Sequence, residues 1–272
     1  RGRLLKERTD AASLVTIGDL VTISAIDADE GSIEVVQPRR SELARRAAGP
    51  GRNRWLRQPL AANIDLVVVV ASVVEPAFNA ARLDRFLVVA EDAEIPVAIC
   101  LNKCDLASAD EIEAALAPYH RTGYPQHCTS AISRQGIDEL RSMLHGRIAS
   151  LVGASGTGKS SLLNALIPGS RLRTAAVGQA GRHGRHTTTV SQLLPLDNAS
   201  WVADTPGLRE LAPWELQRDR LPWLFPEFRP PLELPCRFPA CTHRHEPGCR
   251  VLSAILDGCI PVSRHESYVK LW

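Results

Sequence analysis

Residues 148–166 read IASLVGASGTGKSSLLNAL. A short apolar run over 148–152 enters a glycine-rich loop, and a helical pattern over 159–166 leaves it. Gly153-x4-Gly158-Lys159-Ser160 has the complete spacing of a phosphate-binding loop. Its glycines let the backbone of Gly153, Ala154, Ser155, Gly156, Thr157, Gly158, Lys159, Ser160 and Ser161 turn its N–H groups toward phosphate oxygens. The Lys159 ammonium reaches the β and γ phosphates, and the Ser160 hydroxyl suits Mg²⁺. The positive end of the following helix adds to the field. A glycine-rich turn before an unrelated helix would explain the loop, but not the strand and helix that flank it.

Two further stretches give that loop a context. Asp204-Thr205-Pro206-Gly207 follows the apolar Trp201-Val202-Ala203. There Asp204 would hold the metal through water, and the Gly207 N–H would meet the γ phosphate. Asn102-Lys103-Cys104-Asp105 follows the apolar run 95–101. A carboxylate at Asp105 accepts from both N1–H and N2–H₂ of guanine, a donor pair adenine lacks. Asn102 would brace neighbouring loops and the Lys103 stem would pack on the base. Ser130-Ala131, after the strand around Cys128, suits a loop whose backbone N–H meets guanine O6. Four residues match NKxD by chance often; after a strand, and beside a phosphate loop, the match is specific.

The order of these elements is unusual. The guanine reader precedes the phosphate cradle, and DTPG comes last. That is a circular permutation of the usual GTPase order. It runs the segment after DTPG straight into the C-terminal part of the chain, which would wire the γ-phosphate sensor to that part. Arg185-His186-Thr187-Thr188-Thr189 stands where a switch loop belongs. Thr188 or Thr189 would complete the Mg²⁺ shell. A lone histidine such as His186 is commonly a surface residue. Leu208 occupies the position where many GTPases carry a glutamine that orients water, so hydrolysis needs another group, such as His186, or a partner.

Outside the motifs, apolar strands alternate with helical patterns over 77–91, 111–116 and 137–144. That alternation, with ligand motifs at strand ends, predicts a doubly wound sheet. Before it, runs at 14–17, 20–26 and 33–36 are separated by turn residues and predict short strands of a small β-barrel. AAGPG at 47–51 reads as a flexible joint. The longest apolar run, 66–74, is interrupted by Ser72 and is far too short to span a bilayer. Net charge is only +2 among 272 residues. However, seven arginines lie between 39 and 57 against the single acid Glu42, and Arg171, Arg173, Arg182 and Arg185 form a second basic stretch. Such clusters neutralise phosphates or simply face solvent. The chain starts at Arg1 and is expected to be a trimmed piece.

Beyond residue 221 the texture changes. Six prolines between 222 and 239 precede Cys236-x4-Cys241-x-His243-x5-Cys249. Three thiolates and one imidazole make a tetrahedral set for structural Zn²⁺, with His245 and Cys259 as competing ligands. Runs at 251–256 and 266–271 read as short helices. So small a segment is expected to bury little core, which a metal would offset.

Taken together, NKCD, GASGTGKSS, GRHTTT at 184–189, DTPG, Pro38-Arg39-Arg40-Ser41 and CRFPACTHRHEPGC at 236–249 resemble the RsgA (YjeQ) family of circularly permuted GTPases. The resemblance covers nearly the whole chain. Permuted order is shared with other ribosome-assembly GTPases; the zinc spacing and the upstream barrel point to this family. The resemblance implies an N-terminal OB-fold, lacking its first strand or strands, that binds RNA over residues 1–50. It implies a central α/β GTPase domain over 51–220 and a small α-helical zinc domain over 221–272. It implies GTP hydrolysis stimulated by the small (30S) ribosomal subunit and its rRNA, in a cytoplasmic monomer without membrane attachment. His186, Lys159 and Thr188 would serve catalysis. GTP or GDP, Mg²⁺ at Ser160 and Asp204, and one Zn²⁺ at Cys236, Cys241, His243 and Cys249 would be its cofactors. Two other readings compete. One is an RNA-binding assembly factor that binds GTP with negligible hydrolysis. The other is a permuted GTPase of the large subunit. The Arg-rich insert 47–57 and the stretch Gln179-Ala180-Gly181 depart from the family pattern.

Overall fold

A computed structural model describes residues 15–27, 30–48, 55–167, 191–204 and 217–272. The switch stretch with Arg185, His186, Thr187, Thr188 and Thr189, the second basic stretch, and Thr205, Pro206, Gly207 and Leu208 lie outside the described residues.

The N-terminal strands are β1 (Val21–Ala25), β2 (Gly31–Val36), β3 (Glu42–Ala48) and β4 (Trp55–Ala62). Among the described residues they form two antiparallel pairs, β1 with β2 and β3 with β4. Two expectations need correcting here. Residues 15–17 are not a strand; they lead into a turn, and the Ile17 carbonyl accepts from Ala62 N at 2.9 Å. Ala47 and Ala48 are no joint, because they belong to β3, whose pairing with β4 crosses residue 50. The arginines of this region that the structure describes are largely paired within the fold. Arg39 bonds Asp19 at 2.7 Å and Glu42 at 2.5 Å, Arg40 bonds Asp65 at 2.9 Å, and Arg57 bonds Glu42 at 3.0 Å.

The central sheet contains β5 (Leu66–Ser72), β6 (Val97–Asn102), β7 (Gln126–Thr129), β8 (Ile148–Val152), β9 (Gln192–Pro195) and β10 (Trp201–Asp204). Its order is β7-β6-β5-β8-β10-β9, all parallel except the edge strand β9. The run at 66–70 is apolar at every position because both faces of β5 are covered. Val67 and Val69 pack beneath α1 (Ala80–Asp92) and α2 (Ala109–Leu116), with Leu83, Phe86, Leu87 and Leu116. Leu66, Val68 and Val70 pack beneath α3 (Ile137–Leu144) and α4 (Lys159–Leu166), with Leu140, Leu144, Leu162 and Leu166. The alternation follows the two-residue period of a strand. Residue-level caps set the helix starts: Asn79 accepts from Arg82 N at 2.9 Å, and Ser108 with Glu111 forms a capping box.

The chain therefore enters this sheet at its middle. From β5 it builds outward to β6 and β7, then returns to β8 on the other side of β5. The sheet reverses direction of growth between β5 and β8, and a crevice at strand C-termini opens there.

The C-terminal part holds two single turns, Leu221–Leu224 and Pro226–Phe228, then α5 (Arg229–Leu232), α6 (Arg250–Leu256) and α7 (Val262–Leu271). Its core is larger than its length predicts. Leu221, Leu224, Phe225, Phe228, Val251, Ile260 and Tyr268 are buried together with Val88, which α1 supplies from the central unit. Phe225 lies 5.0 Å from Phe228 and edge-on to Tyr268 at 5.7 Å, centroid to centroid. Beneath these rings Arg264, 1% exposed, bonds Asp84 of α1 and bonds Glu227 at 2.5 Å.

Candidate nucleotide site and Cys/His cluster

Two glycines show how tightly the phosphate loop is built. Gly153 has φ +140°, and a Cβ there would meet the Val70 carbonyl oxygen at 2.2 Å. Gly158 has φ +91°, and its Cβ would meet Asn102 Nδ2 at 2.3 Å. Neither position admits a side chain. Gly158 offers no side chain to cap α4, so the N–H groups of the first turn face the loop without a side-chain cap. Thr157 Oγ1 staples the loop by donating to the Ala154 carbonyl at 3.0 Å. Lys159 Nζ folds over it and donates to Gly153 O at 2.7 Å and Ala154 O at 2.6 Å. Ser155 is exposed, and Gly156, Ser160 and Ser161 are half-buried.

The guanine loop is tied directly to this cradle. Asn102, 1% exposed, donates from Nδ2 to the Thr157 carbonyl at 2.9 Å. Its Oδ1 accepts from Thr129 Oγ1 at 3.2 Å. One amide thus joins the ends of β6 and β7 to the phosphate loop. Lys103 adopts a left-handed φ of 65° and its Nζ donates to the Glu75 carbonyl. Cys104 points inward and donates to Leu101 O at 3.0 Å; burial pushes its thiol up to about 12, so it stays neutral. Asp105 stands exposed in the turn Cys104–Leu106. The buried Ser130 donates its N–H to Gln135 O at 2.9 Å, and its hydroxyl oxygen accepts from Ser133 N at 3.1 Å. Ala131 follows it in the same turn and is half-buried. Asp204 ends β10, the strand beside β8.

Asn102, Lys103, Asp105, Ser130, Ala131, the loop 153–161 and Asp204 all stand at or just after the C-terminal ends of the parallel strands β6, β7, β8 and β10, and Asn102 joins two of these segments by direct bonds. His186, Thr188 and Gly207 lie outside the described residues. Sequence reasoning did not identify Thr129, Glu75 or Ser72. Only Ser72 left a signal, as a hydroxyl interrupting an otherwise apolar strand.

At the far end of the chain the ligand atoms of Cys236, Cys241, His243 and Cys249 lie within 4.8 Å of one another. His243 Nδ1 is 3.6 Å from Cys236 Sγ and 3.4 Å from Cys249 Sγ. The Arg250 N–H donates to Cys236 Sγ at 3.4 Å, and His265 bonds the His243 carbonyl at 2.7 Å. Burial pushes the Cys241 thiol up to about 12, raises Cys249 and lowers His243. Three thiols and one imidazole so arranged, half-buried at Cys236 and Cys241 and buried at His243 and Cys249, fit a soft divalent cation, which would displace the thiol protons. His245 and Cys259 are exposed and stand outside the cluster.

Comparison with known proteins agrees with this geometry. Residues 36–214 match the family model described as RsgA GTPase. The small ribosomal subunit biogenesis GTPase RsgA of Gemmatimonas aurantiaca is 44% identical over 273 residues, covering 100% of this chain and 87% of that protein. The protein of the same name from Moorella thermoacetica is 40% identical, covering 93% of this chain and 82% of its own. Among solved structures, YjeQ from Thermotoga maritima superposes with a TM-score of 0.77 at 34% identity, covering 100% of this chain and 86% of that one. YloQ, a circularly permuted GTPase, superposes with 0.70 at 29% identity, covering 93% and 78%. The chain belongs to the RsgA GTPase family.

Proposed function

We infer that this chain is a GTPase that acts on the small ribosomal subunit during its assembly, with hydrolysis accelerated by that subunit. The carrying observation is the Asn102 bridge, 2.9 Å from the guanine loop to the phosphate cradle, which makes one site of two motifs. In this site Asp105 accepts from guanine N1–H and N2–H₂, and Ala131 N–H donates to O6. The loop N–H groups and Lys159 hold the β and γ phosphates. Ser160 and Asp204 would hold Mg²⁺, which neutralises charge on the phosphate oxygens. His186 positions the attacking water in place of the glutamine that Leu208 replaces, and Thr188 completes the metal shell. Cys236, Cys241, His243 and Cys249 would hold one structural Zn²⁺.

The partner surface follows from charge. Arg39, Arg40 and Arg57 have carboxylate partners although Arg40 and Arg57 are exposed, and Arg237, Arg244, His245 and Arg250 are exposed around the Cys/His cluster beside Phe238. Cations with an aromatic face suit rRNA. Among the described residues no helix is long and apolar enough to cross a membrane. A cytoplasmic monomer divided at about residues 50 and 220, with the β3–β4 hairpin bridging the first division, completes the reading. Sedimentation with purified small and large subunits and a non-hydrolysable GTP analogue tests the partner. Co-sedimentation with small subunits alone is expected, and binding to large subunits alone would overturn the assignment.

A further inference from the structure

β5 ends at Ser72, which is 2% exposed and pairs in register with Asn102 of β6. A hydroxyl so placed in an apolar strand needs a partner, and it donates to the Pro76 carbonyl at 2.8 Å. That bond fixes the middle of the loop 72–79. The ends are fixed too, by Phe78 N donating to Val73 O at 2.9 Å and by Asn79 capping α1. Between them Glu75 takes a left-handed φ of 51°, and its carbonyl receives Lys103 Nζ. The far end of the Lys103 side chain is thus anchored on a loop that Ser72 staples.

We propose that Ser72 is a positioning residue for guanine recognition, acting through the Glu75 carbonyl on Lys103. The proposal rests on the GTPase reading of the site. A lysine held at both ends lays its four-carbon stem over the base without having to be ordered when nucleotide arrives. Lys103 without that anchor must lose rotamer freedom on binding. The Ser72 hydroxyl acts on the base side: the phosphate cradle is braced by the Asn102 and Thr157 side chains, whose bonds do not involve that hydroxyl, and the backbone pairing of Ser72 with Asn102 survives Ser72→Ala.

The test is a double-mutant cycle with Ser72→Ala and Lys103→Met, the latter keeping the stem and removing the ammonium. Ser72→Ala is expected to weaken GDP binding roughly three- to tenfold in the wild-type background, the size of one immobilised long side chain. It should change nothing further in the Lys103→Met background, and inorganic tripolyphosphate affinity should stay the same in all four proteins. Unchanged GDP affinity, an equal loss in both backgrounds, or a matching loss of tripolyphosphate would overturn the proposal. Wild-type protein that bound no GDP at all would instead sink the GTPase reading, so the two failures are distinguishable.

Discussion

Asp105 and Gly158 carry the sharpest expectations at the scale of single residues. In the proposed site Asp105 selects guanine through one carboxylate, so Asp105→Asn exchanges an acceptor for a donor. Competition binding should then show preference moving from GTP toward XTP, and unchanged selectivity would remove Asp105 from its role. Gly158→Ala puts a Cβ at 2.3 Å from Asn102 Nδ2, on a backbone with φ +91°. The brace between guanine loop and cradle must then shift. We expect GDP affinity to fall by at least about tenfold, the equivalent of one lost buried hydrogen bond. Wild-type affinity in a calorimetric titration would show that the brace is dispensable. The residues proposed to touch ligand were legible as motifs because their spacing is local. Thr129 and Glu75 were not, since they act through partners 27 and 28 positions away in the chain. Only the folded sheet brings those partners together.

At the scale of elements, strands and helices with strong periodicity were legible almost to the residue. The helices over 137–144 and 159–166 are examples. The edge strand Gln192–Pro195 was not, being four residues long and antiparallel in a parallel sheet. The extent of the C-terminal core was not legible for a different reason: α1, far away in sequence, supplies Val88 and Asp84 to it. The buried Arg264 between Asp84 and Glu227 is the joint. Arg264→Met leaves two buried carboxylates without their cation and should cost about 3–5 kcal/mol in denaturant unfolding. Burial holds the Asp84 carboxyl above its ordinary range, against the pull of Arg264. The folded protein therefore binds this proton more tightly than the unfolded chain. The stability linked to it is present at low pH and lost as pH rises through the folded value. Removing Arg264 raises Asp84 further, so the deficit of the variant should shrink as the buffer is taken from neutral to mildly acid. A pH-independent deficit would argue for lost packing alone. The Cys/His cluster has its own check. Metal analysis of protein purified without added metal should find one zinc per chain, falling to none in Cys241→Ser with a lower melting temperature. A folded wild type without zinc would refute the ligand set.

For the molecule as a whole, the permuted order matters more than the inventory of motifs. The chain enters the sheet at β5, runs through the proposed guanine loop and then the phosphate loop, and passes from β10 into the C-terminal unit. That unit is bound to α1, which starts at the Lys103-supporting loop and carries Val88 and Asp84 into the C-terminal core. The nucleotide site is therefore linked to the Cys/His cluster by α1 as well as by the chain beyond Asp204. With leucine at 208, the site lacks a built-in glutamine for water. The central claim is that this chain is a timer completed by its ribosomal partner. Steady-state GTP turnover, measured alone and with purified small or large subunits, tests it most directly. Turnover is expected to be slow alone and markedly accelerated by small subunits only. Fast turnover that is indifferent to either subunit would contradict it.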